Sequence, residues 1–206
     1  MKLQTVTPML ISEIFYSLQG EGKRSGEPSI FIRLSGCSAK YACYASGVHC
    51  DTEFESGKEM TTEEILHWIS LHAPNCKWIV WTGGEPADQL TDETVVFFNQ
   101  KGFKQAIETS GIKSVPKGLS WVTLSPKVAE HVLEKNFPSG VEEIKYVRHS
   151  GQDIPKPKVA TLYKFISPHF DGVNTNEENI RHCIELCLQN PEWSLSIQQH
   201  KLWQIL

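Results

Sequence analysis

No apolar run in this chain approaches the ~20 residues that cross a bilayer, so nothing in it reads as a membrane span. The first residues, MKLQTVTPML, hold no apolar signal core and no small-residue cleavage site, and the expectation is a cytoplasmic protein. Charge of one sign is also scarce. Twenty basic residues against 24 acidic ones leave a net charge of −4, which argues against a nucleic-acid binder or a polybasic membrane-surface protein. Internal repeats and low-complexity tracts are absent, so solenoids and linker-rich architectures are excluded. What remains is a 206-residue chain, 40% hydrophobic and 21% charged, with the composition of an ordinary globular protein. That length suffices for a sizeable core, and the chain reads as a single domain over 1–206.

Cysteine is not scarce, and it is unevenly placed. Three of the six fall in one short loop, Cys37, Cys43 and Cys50, directly after the apolar run IFIRLSG. Without an export signal, reduced thiols are the expectation, divided between metal ligands and small buried apolar residues. Three thiolates form an incomplete set for structural zinc, which takes four protein ligands. A four-iron cubane held by three Cys keeps one iron open to a small molecule, so the loop suggests a cluster that does chemistry. Zinc with His49 as fourth ligand is the alternative, weakened because His49 directly precedes Cys50. Three buried thiols without a metal is the plainest one. Cys183 and Cys187 instead share a helical stripe with Ile180, Ile184 and Leu188 and read as core, and Cys76 reads as structural.

Short β-branched and aromatic runs recur along the chain, at 10–17, 29–36, 78–84, 105–111, 121–127, 142–148, 161–167 and 194–201. Several end in Gly, Ser or Pro, as buried strands entering loops do. The clearest helix is TTEEILHWISLHA, with Thr61 and Glu64 as a capping box. DETVVFFNQ forms a second that stops at Gly102. A third starts near Thr175, with Glu178 completing a box, and stops at Asn190–Pro191. Trp68, Trp78, Trp81 and Trp121 fall in these patterns as core residues. Strands with helices between some of them predict an α/β fold with a mainly parallel sheet, of about six units. That is an open, partial (β/α) barrel, since a closed eight-fold one takes ~250 residues. Function then collects at the C-terminal strand ends, which read SGC, TGGEP, ETSG, SPK and QQHK. Loops of Gly, hydroxyls, Glu and Lys converging on one mouth describe a small-molecule site.

Taken together, these motifs resemble the radical S-adenosylmethionine (SAM) enzymes. Within them, SLQGEGKRSGEPSIFIRLSGC (17–37), CDT (50–52), TGGEP, IETSG, TLSPK and LSIQQHK resemble the 7-carboxy-7-deazaguanine synthase family. GGEP alone marks only the superfamily; QGEG followed by FIRLSGC, CDT and SPK is more specific. The resemblance implies a shortened barrel, a homodimer, and a lyase of queuosine biosynthesis that uses a 4Fe–4S cluster, SAM and Mg²⁺. It implies an electron donor such as flavodoxin or ferredoxin, and 6-carboxy-5,6,7,8-tetrahydropterin as a small-molecule pterin substrate. Ring contraction with loss of ammonia gives 7-carboxy-7-deazaguanine, with SAM re-formed.

Residue by residue, the resemblance implies that Cys37, Cys43 and Cys50 hold three irons and that Thr52 meets the magnesium, a metal that keeps few protein ligands. SAM falls to His49, Cys50, Asp51, Gly83, Gly84, Glu85, Ser110, Ser125, Pro126 and Lys127. The two glycines would let backbone approach SAM without Cβ interference, and Glu85 would accept from its amino group. The pterin falls to Leu18, Gln19, Gly20, Glu21, Arg33 and Thr82, with Gln198, His200 and Lys201 as further pocket residues. Arg33 can grip a carboxylate bidentately, and Gln19 can read a pterin edge with paired donor and acceptor.

Two stretches depart from the pattern. The common superfamily spacing is Cys-x3-Cys-x2-Cys, whereas this loop runs Cys-x5-Cys-x6-Cys with Cys43 as middle ligand. TLYKFIS stands where the family often has Gln-Pro, so no SAM contact is carried over there. Plainer readings compete at single positions: Arg33 as a strand-edge surface charge, Glu85 as an acid at a helix N-terminus, Lys127 as solvated, Thr82 as satisfying a backbone carbonyl, His200 as a core residue, the glycines as a turn. At the level of the whole chain the alternatives are a radical SAM activase of a glycyl-radical partner and a non-catalytic Fe–S or zinc scaffold. QGEG and Arg33 weigh against the first, GGEP, ETSG and SPK against the second.

Overall fold

The computed structural model describes residues 8–45, 53–171 and 174–205. Its centre is a nine-stranded mixed sheet with strand order β11-β8-β7-β6-β5-β4-β2-β1-β3. The strands are β1 Met9–Leu18, β2 Pro28–Leu34, β3 Lys58–Met60, β4 Trp78–Gly83, β5 Lys104–Thr109, β6 Trp121–Leu124, β7 Val141–Arg148, β8 Thr161–Pro168 and β11 Ser194–Leu195. From β2 through β4 to β8 and on to β11 every neighbouring pair is parallel, while β1 runs antiparallel to β2 and to β3. The sheet is α/β and mainly parallel, as the sequence predicts, and it is not closed: β11 and β3 stand at opposite edges. A separate two-stranded ribbon pairs β9 Phe170–Asp171 with β10 Asn174–Thr175.

Alternation along each parallel strand sends one set of side chains to the helix-covered face and the other inward. On β2, Ile30, Ile32 and Leu34 are fully buried with Ile79 and Trp81 of β4, against helix α2 (Thr62–His72) and helix α3 (Asp92–Gln100). Burying one such aliphatic side chain contributes about 1.5–3 kcal/mol. A second cluster packs Leu124, Ile144 and Ile166 against α4 (Glu130–Asn136) and α5 (Glu177–Gln189) through Leu133, Cys183 and Leu186. The inward face has a smaller apolar patch, Phe15, Phe31, Val80 and Ala106, and above it a polar interior. A register shift between Ile11 and Glu13 makes this possible on β1: the extra residue turns Glu13 and Phe15 inward, opposite Arg33 and Phe31.

The Thr61–Glu64 capping box forms as expected, and α3 ends just before Gly102, whose φ is 83°. Other expectations need correction. The cysteine loop contains a short helix, α1 (Lys40–Ala45). At the third long helix the N-cap is Asn176, which accepts from the Asn179 N–H. Glu178 accepts from the Ser150 hydroxyl, and with the cap at Asn176 it stands second in the helix, not at the third position a capping box uses. On α5, Cys183 and Leu186 are buried, but Ile184 and Leu188 face solvent, Leu188 at 79% exposure. The core stripe is therefore rotated, because Asn179 and Leu186 share the inward face. Of 194–201 only two residues are strand; Gln199–Trp203 form helix α6, anchored by the Gln199 N–H donating to the Gly20 carbonyl. Trp81 is fully buried, whereas Trp68, Trp78 and Trp121 are only half-buried; Trp68 stacks on His72 and Trp121 on Tyr163. No helix separates β5 from β6 or β7 from β8, so the strand–helix alternation is incomplete.

Candidate active site

One cavity of about 400 Å³ opens at the C-terminal ends of the parallel strands, within the size range of small-molecule sites. Cys37, Cys43, Gly83, Gly84, Glu85, Ser110, Ser125 and Lys127 line it, together with Leu18, Gln19, Gly20, Glu21, Arg33, Thr82, Gln198, His200 and Lys201. These are all the sequence-predicted site residues within the described chain except Pro126. Pro126 lines a neighbouring cavity of about 220 Å³, which shares Lys127 and runs along β7 to His149. His49, Cys50, Asp51 and Thr52 lie outside the described residues. Among the described residues no three His, Cys, Asp or Glu side chains converge as a metal-holding group.

The thiol side of the cavity is built on backbone ties. The chain leaves β2 at Gly36, whose N–H donates to the Phe54 carbonyl at 2.7 Å, so the segment carrying the cysteines departs and returns at one point. Ser38 donates through its N–H and its hydroxyl to Asp88, each at 2.8 Å. Lys113 pairs with the same carboxylate at 2.5 Å. Burial opposes ionisation of Asp88, but the Lys113 and Ser38 bonds outweigh it and hold its carboxyl below the usual range.

At TGGEP both glycines are required by backbone packing. A Cβ on Gly84 would overlap the Gly36 carbonyl, and one on Gly83 would meet the backbone of Leu34. The close approach these residues allow is that of strand end to strand end, with the Gly84 N–H donating to Leu34 and the Glu85 N–H to Gly36. Glu85 is almost fully buried, at 1% exposure. Its carboxylate accepts from the Ala87 N–H at 3.1 Å, the Thr109 hydroxyl at 2.7 Å, the Ser110 N–H at 2.9 Å and the Ser110 hydroxyl. It caps the 3-10 turn Pro86–Asp88 and ties the end of β4 to the end of β5.

The opposite part of the wall is the turn Gln19–Glu27 between β1 and β2, facing α6. Gln19 donates to Glu108 at 3.0 Å, and the Thr82 hydroxyl donates to the other Glu108 oxygen at 3.0 Å. Arg33 pairs with Glu13 at 2.5 Å and lies over the Phe15 ring, so its guanidinium sits at the cavity wall with one carboxylate partner. Lys127 stands 3.5 Å from the Ser125 hydroxyl. Among the described residues, the buried side-chain oxygen of Gln198, Oε1, has no hydrogen-bond partner. A buried acceptor of that kind costs stability unless a donor reaches it, and this one belongs to the cavity lining.

Three polar residues of the interior lie beyond the motif-based expectation. Glu108 is the first residue of ETSG, a motif whose family role falls on Ser110. Lys145 lines the same cavity and contacts Glu21. Burial pushes its ammonium down to about 8, still charged at neutral pH. Glu143, at 3% exposure, is pushed up to about 7, by burial first and by the nearby Glu108 charge, against the Lys23 N–H and Arg24, which favour ionisation. The only sequence signal for these two was their alternation with Ile144 and Tyr146.

The chemistry of this lining fits the groups implied by the motifs. Cys37 and Cys43 line the cavity together with Gln198, whose buried Oε1 has no donor among the described residues. No protein-family model matches the chain. The 7-carboxy-7-deazaguanine synthase of Bacteroides thetaiotaomicron is 35% identical over 196 residues, covering 95% of this chain and 97% of that protein. That of Caulobacter vibrioides is 32% identical over 210 residues, covering 93% and 96%. Among solved structures, the crystal structure of QueE from Escherichia coli superposes with a TM-score of 0.67 at 26% identity, covering 94% of this chain and 95% of that one.

Proposed function

The chain belongs to the 7-carboxy-7-deazaguanine synthase family, and on that premise we propose that its cavity converts 6-carboxy-5,6,7,8-tetrahydropterin to 7-carboxy-7-deazaguanine with loss of ammonia, as a radical SAM lyase of queuosine biosynthesis. The observation that supports this most directly is a single cavity lined both by Cys37 and Cys43 and by Gln19, Arg33, Thr82 and Gln198. A scaffold would not need thiols and a set of polar side chains lining one cavity.

In this reading Cys37, Cys43 and Cys50 hold a 4Fe–4S cluster in an open partial (β/α) barrel of about six units. When bound, the cluster and SAM supply the one-electron chemistry that starts the reaction. Ser110, Ser125, Pro126, Lys127 and the Gly83–Gly84 backbone shape the SAM side, with His49 and Asp51 beside the last cysteine. Thr52 and substrate oxygens hold Mg²⁺. Glu85 serves chiefly by fixing Ser110 and the strand ends, since four protein donors already occupy its carboxylate. Gln19 and Thr82, oriented by Glu108, present polar groups to the pterin edge. Arg33 grips the substrate carboxylate in exchange for part of its pairing with Glu13. Gln198 accepts from a ring N–H, and His200 and Lys201 close the wall from α6. The same reading places a homodimer in the cytoplasm, reduced by a flavodoxin- or ferredoxin-class protein.

Anaerobic reconstitution with iron and sulfide, followed by incubation with SAM, dithionite, Mg²⁺ and the carboxytetrahydropterin, tests it. The expected result is about four irons per chain and appearance of 7-carboxy-7-deazaguanine. SAM cleavage without that product points to another substrate, and absence of a cluster defeats the enzyme reading.

A further inference from the structure

The turn Gln19–Glu27 carries three residues of the cavity wall, yet it has no helix or strand of its own to fix it. Its two ends are paired, Gln19 N–H to the Glu27 carbonyl at 2.9 Å and Gly26 N–H to the Gln19 carbonyl at 2.8 Å. Arg24 is buried against the Trp78 ring and bonds to Glu27 and Ser29. Between these anchors the chain leans on β7. The Lys23 N–H donates to Glu143 at 2.9 Å. Gly22, at φ 66°, lies so close to the same carboxyl that a Cβ there would overlap it. Its N–H donates to the Ser196 hydroxyl at 2.9 Å.

We propose that Glu143 is a positioning residue for the substrate. Through Lys23 and Gly22 it holds the turn on the sheet, so that Gln19 meets Glu108 and Glu21 meets Lys145 at the cavity. This rests on the reading of the cavity given above. Glu143 itself lines a water-sized chamber of about 10 Å³ beneath that cavity, shared with Gln19, Glu21, Arg24, Glu108, Thr123 and Lys145. The groups facing it are the Glu108 carboxylate from β5, Arg24, Lys23 and Glu21 from the turn, Lys145 from its own strand, and Tyr163 of β8, over which Lys23 lies. Truncating Glu143 leaves the Lys23 N–H without its acceptor and a void under Gly22. Replacing it by glutamine keeps an acceptor of the same reach.

The test uses Glu143→Ala and Glu143→Gln in the full chain. In Glu143→Ala the substrate KM is expected to rise roughly tenfold, the size of one lost buried hydrogen bond. The kcat at saturation and the half-saturation for SAM should stay within about twofold of wild type, and Glu143→Gln should restore KM to within about threefold. An unchanged substrate KM in a folded Glu143→Ala protein, or an equal rise for SAM, overturns the proposal. Amide exchange of the peptide spanning 19–27, measured on the protein without substrate, supplies an arm independent of the reaction. Faster exchange in Glu143→Ala, with protection kept in Glu143→Gln, is expected; equal protection in all three proteins overturns the proposal. If Glu143→Ala does not fold, Glu143→Met, which keeps the volume and removes the acceptor of the Lys23 N–H, takes its place with the same expected and overturning results. Wild-type protein that forms no deazaguanine while the exchange arm succeeds identifies the substrate reading, and not the role of Glu143, as the error.

Discussion

Gln19 and Glu108, 89 residues apart in the chain, meet at 3.0 Å across the mouth of the sheet. The bond joins the turn after β1 to the C-terminal end of β5, and Thr82 of β4 completes it by donating to the second carboxylate oxygen. Three chain segments thereby share one carboxylate at the wall of the cavity.

Glu108→Leu removes the common acceptor and leaves two donors unpaired. Each such loss costs about 1–3 kcal/mol. Substrate affinity is therefore expected to fall by at least roughly tenfold, while iron content after reconstitution stays at the wild-type level. Isothermal titration with the carboxytetrahydropterin, alongside an iron assay, measures both.

Gly84→Ala is expected to damage the fold before the chemistry. The new methyl group would overlap the Gly36 carbonyl, and strand ends tied by two backbone hydrogen bonds can separate only by breaking them. A loss of about 2–4 kcal/mol follows, readable as a lower midpoint in urea unfolding.

Stability should fall with pH through the Glu143 range. Its folded-state value is raised to about 7 from an unfolded value near 4.5, so the folded state binds the extra proton between these limits. The contribution is complete below about pH 4.5 and lost as pH rises through about 7, amounting to about 3 kcal/mol. Unfolding free energies at pH 5 and pH 8 should therefore differ by less in Glu143→Gln than in wild type. Equal differences would refute the assignment.

Cys43→Ala should abolish cluster retention, whereas Cys76→Ala should not. Cys76 is buried at 6% exposure beside the Pro28 carbonyl, away from the cavity, and its loss costs only a small void. Iron counts after reconstitution separate the two. Full iron in Cys43→Ala would remove it from the ligand set.

Legibility differed between the two faces of the sheet. On the helix-covered face, Ile30, Ile32, Leu34, Ile79 and Ile107 are apolar and buried, and their alternation marks strands without help from elsewhere. The capping box of α2 is equally local. Short elements were not legible: α1, β3 and α6 have three to six residues each, too few for a periodic pattern. α6 exists because Gln199 reaches Gly20 at the other end of the chain.

The sequence by itself determined the α/β class, the parallel centre of the sheet, and the motifs that gather at its C-terminal strand ends, because alternation and turn residues act locally. The tertiary structure decided which polar side chains became interior. EEIKYVR reads as a half-solvated strand, and Glu143 and Lys145 as its wet side. They are enclosed because the Gln19–Glu27 turn lies over that face, through contacts between residues more than a hundred positions apart. Burial then changes what these groups are: a carboxyl that keeps its proton near neutral pH and a lysine matched to Glu21. That follows from desolvation, which no stretch of sequence contains.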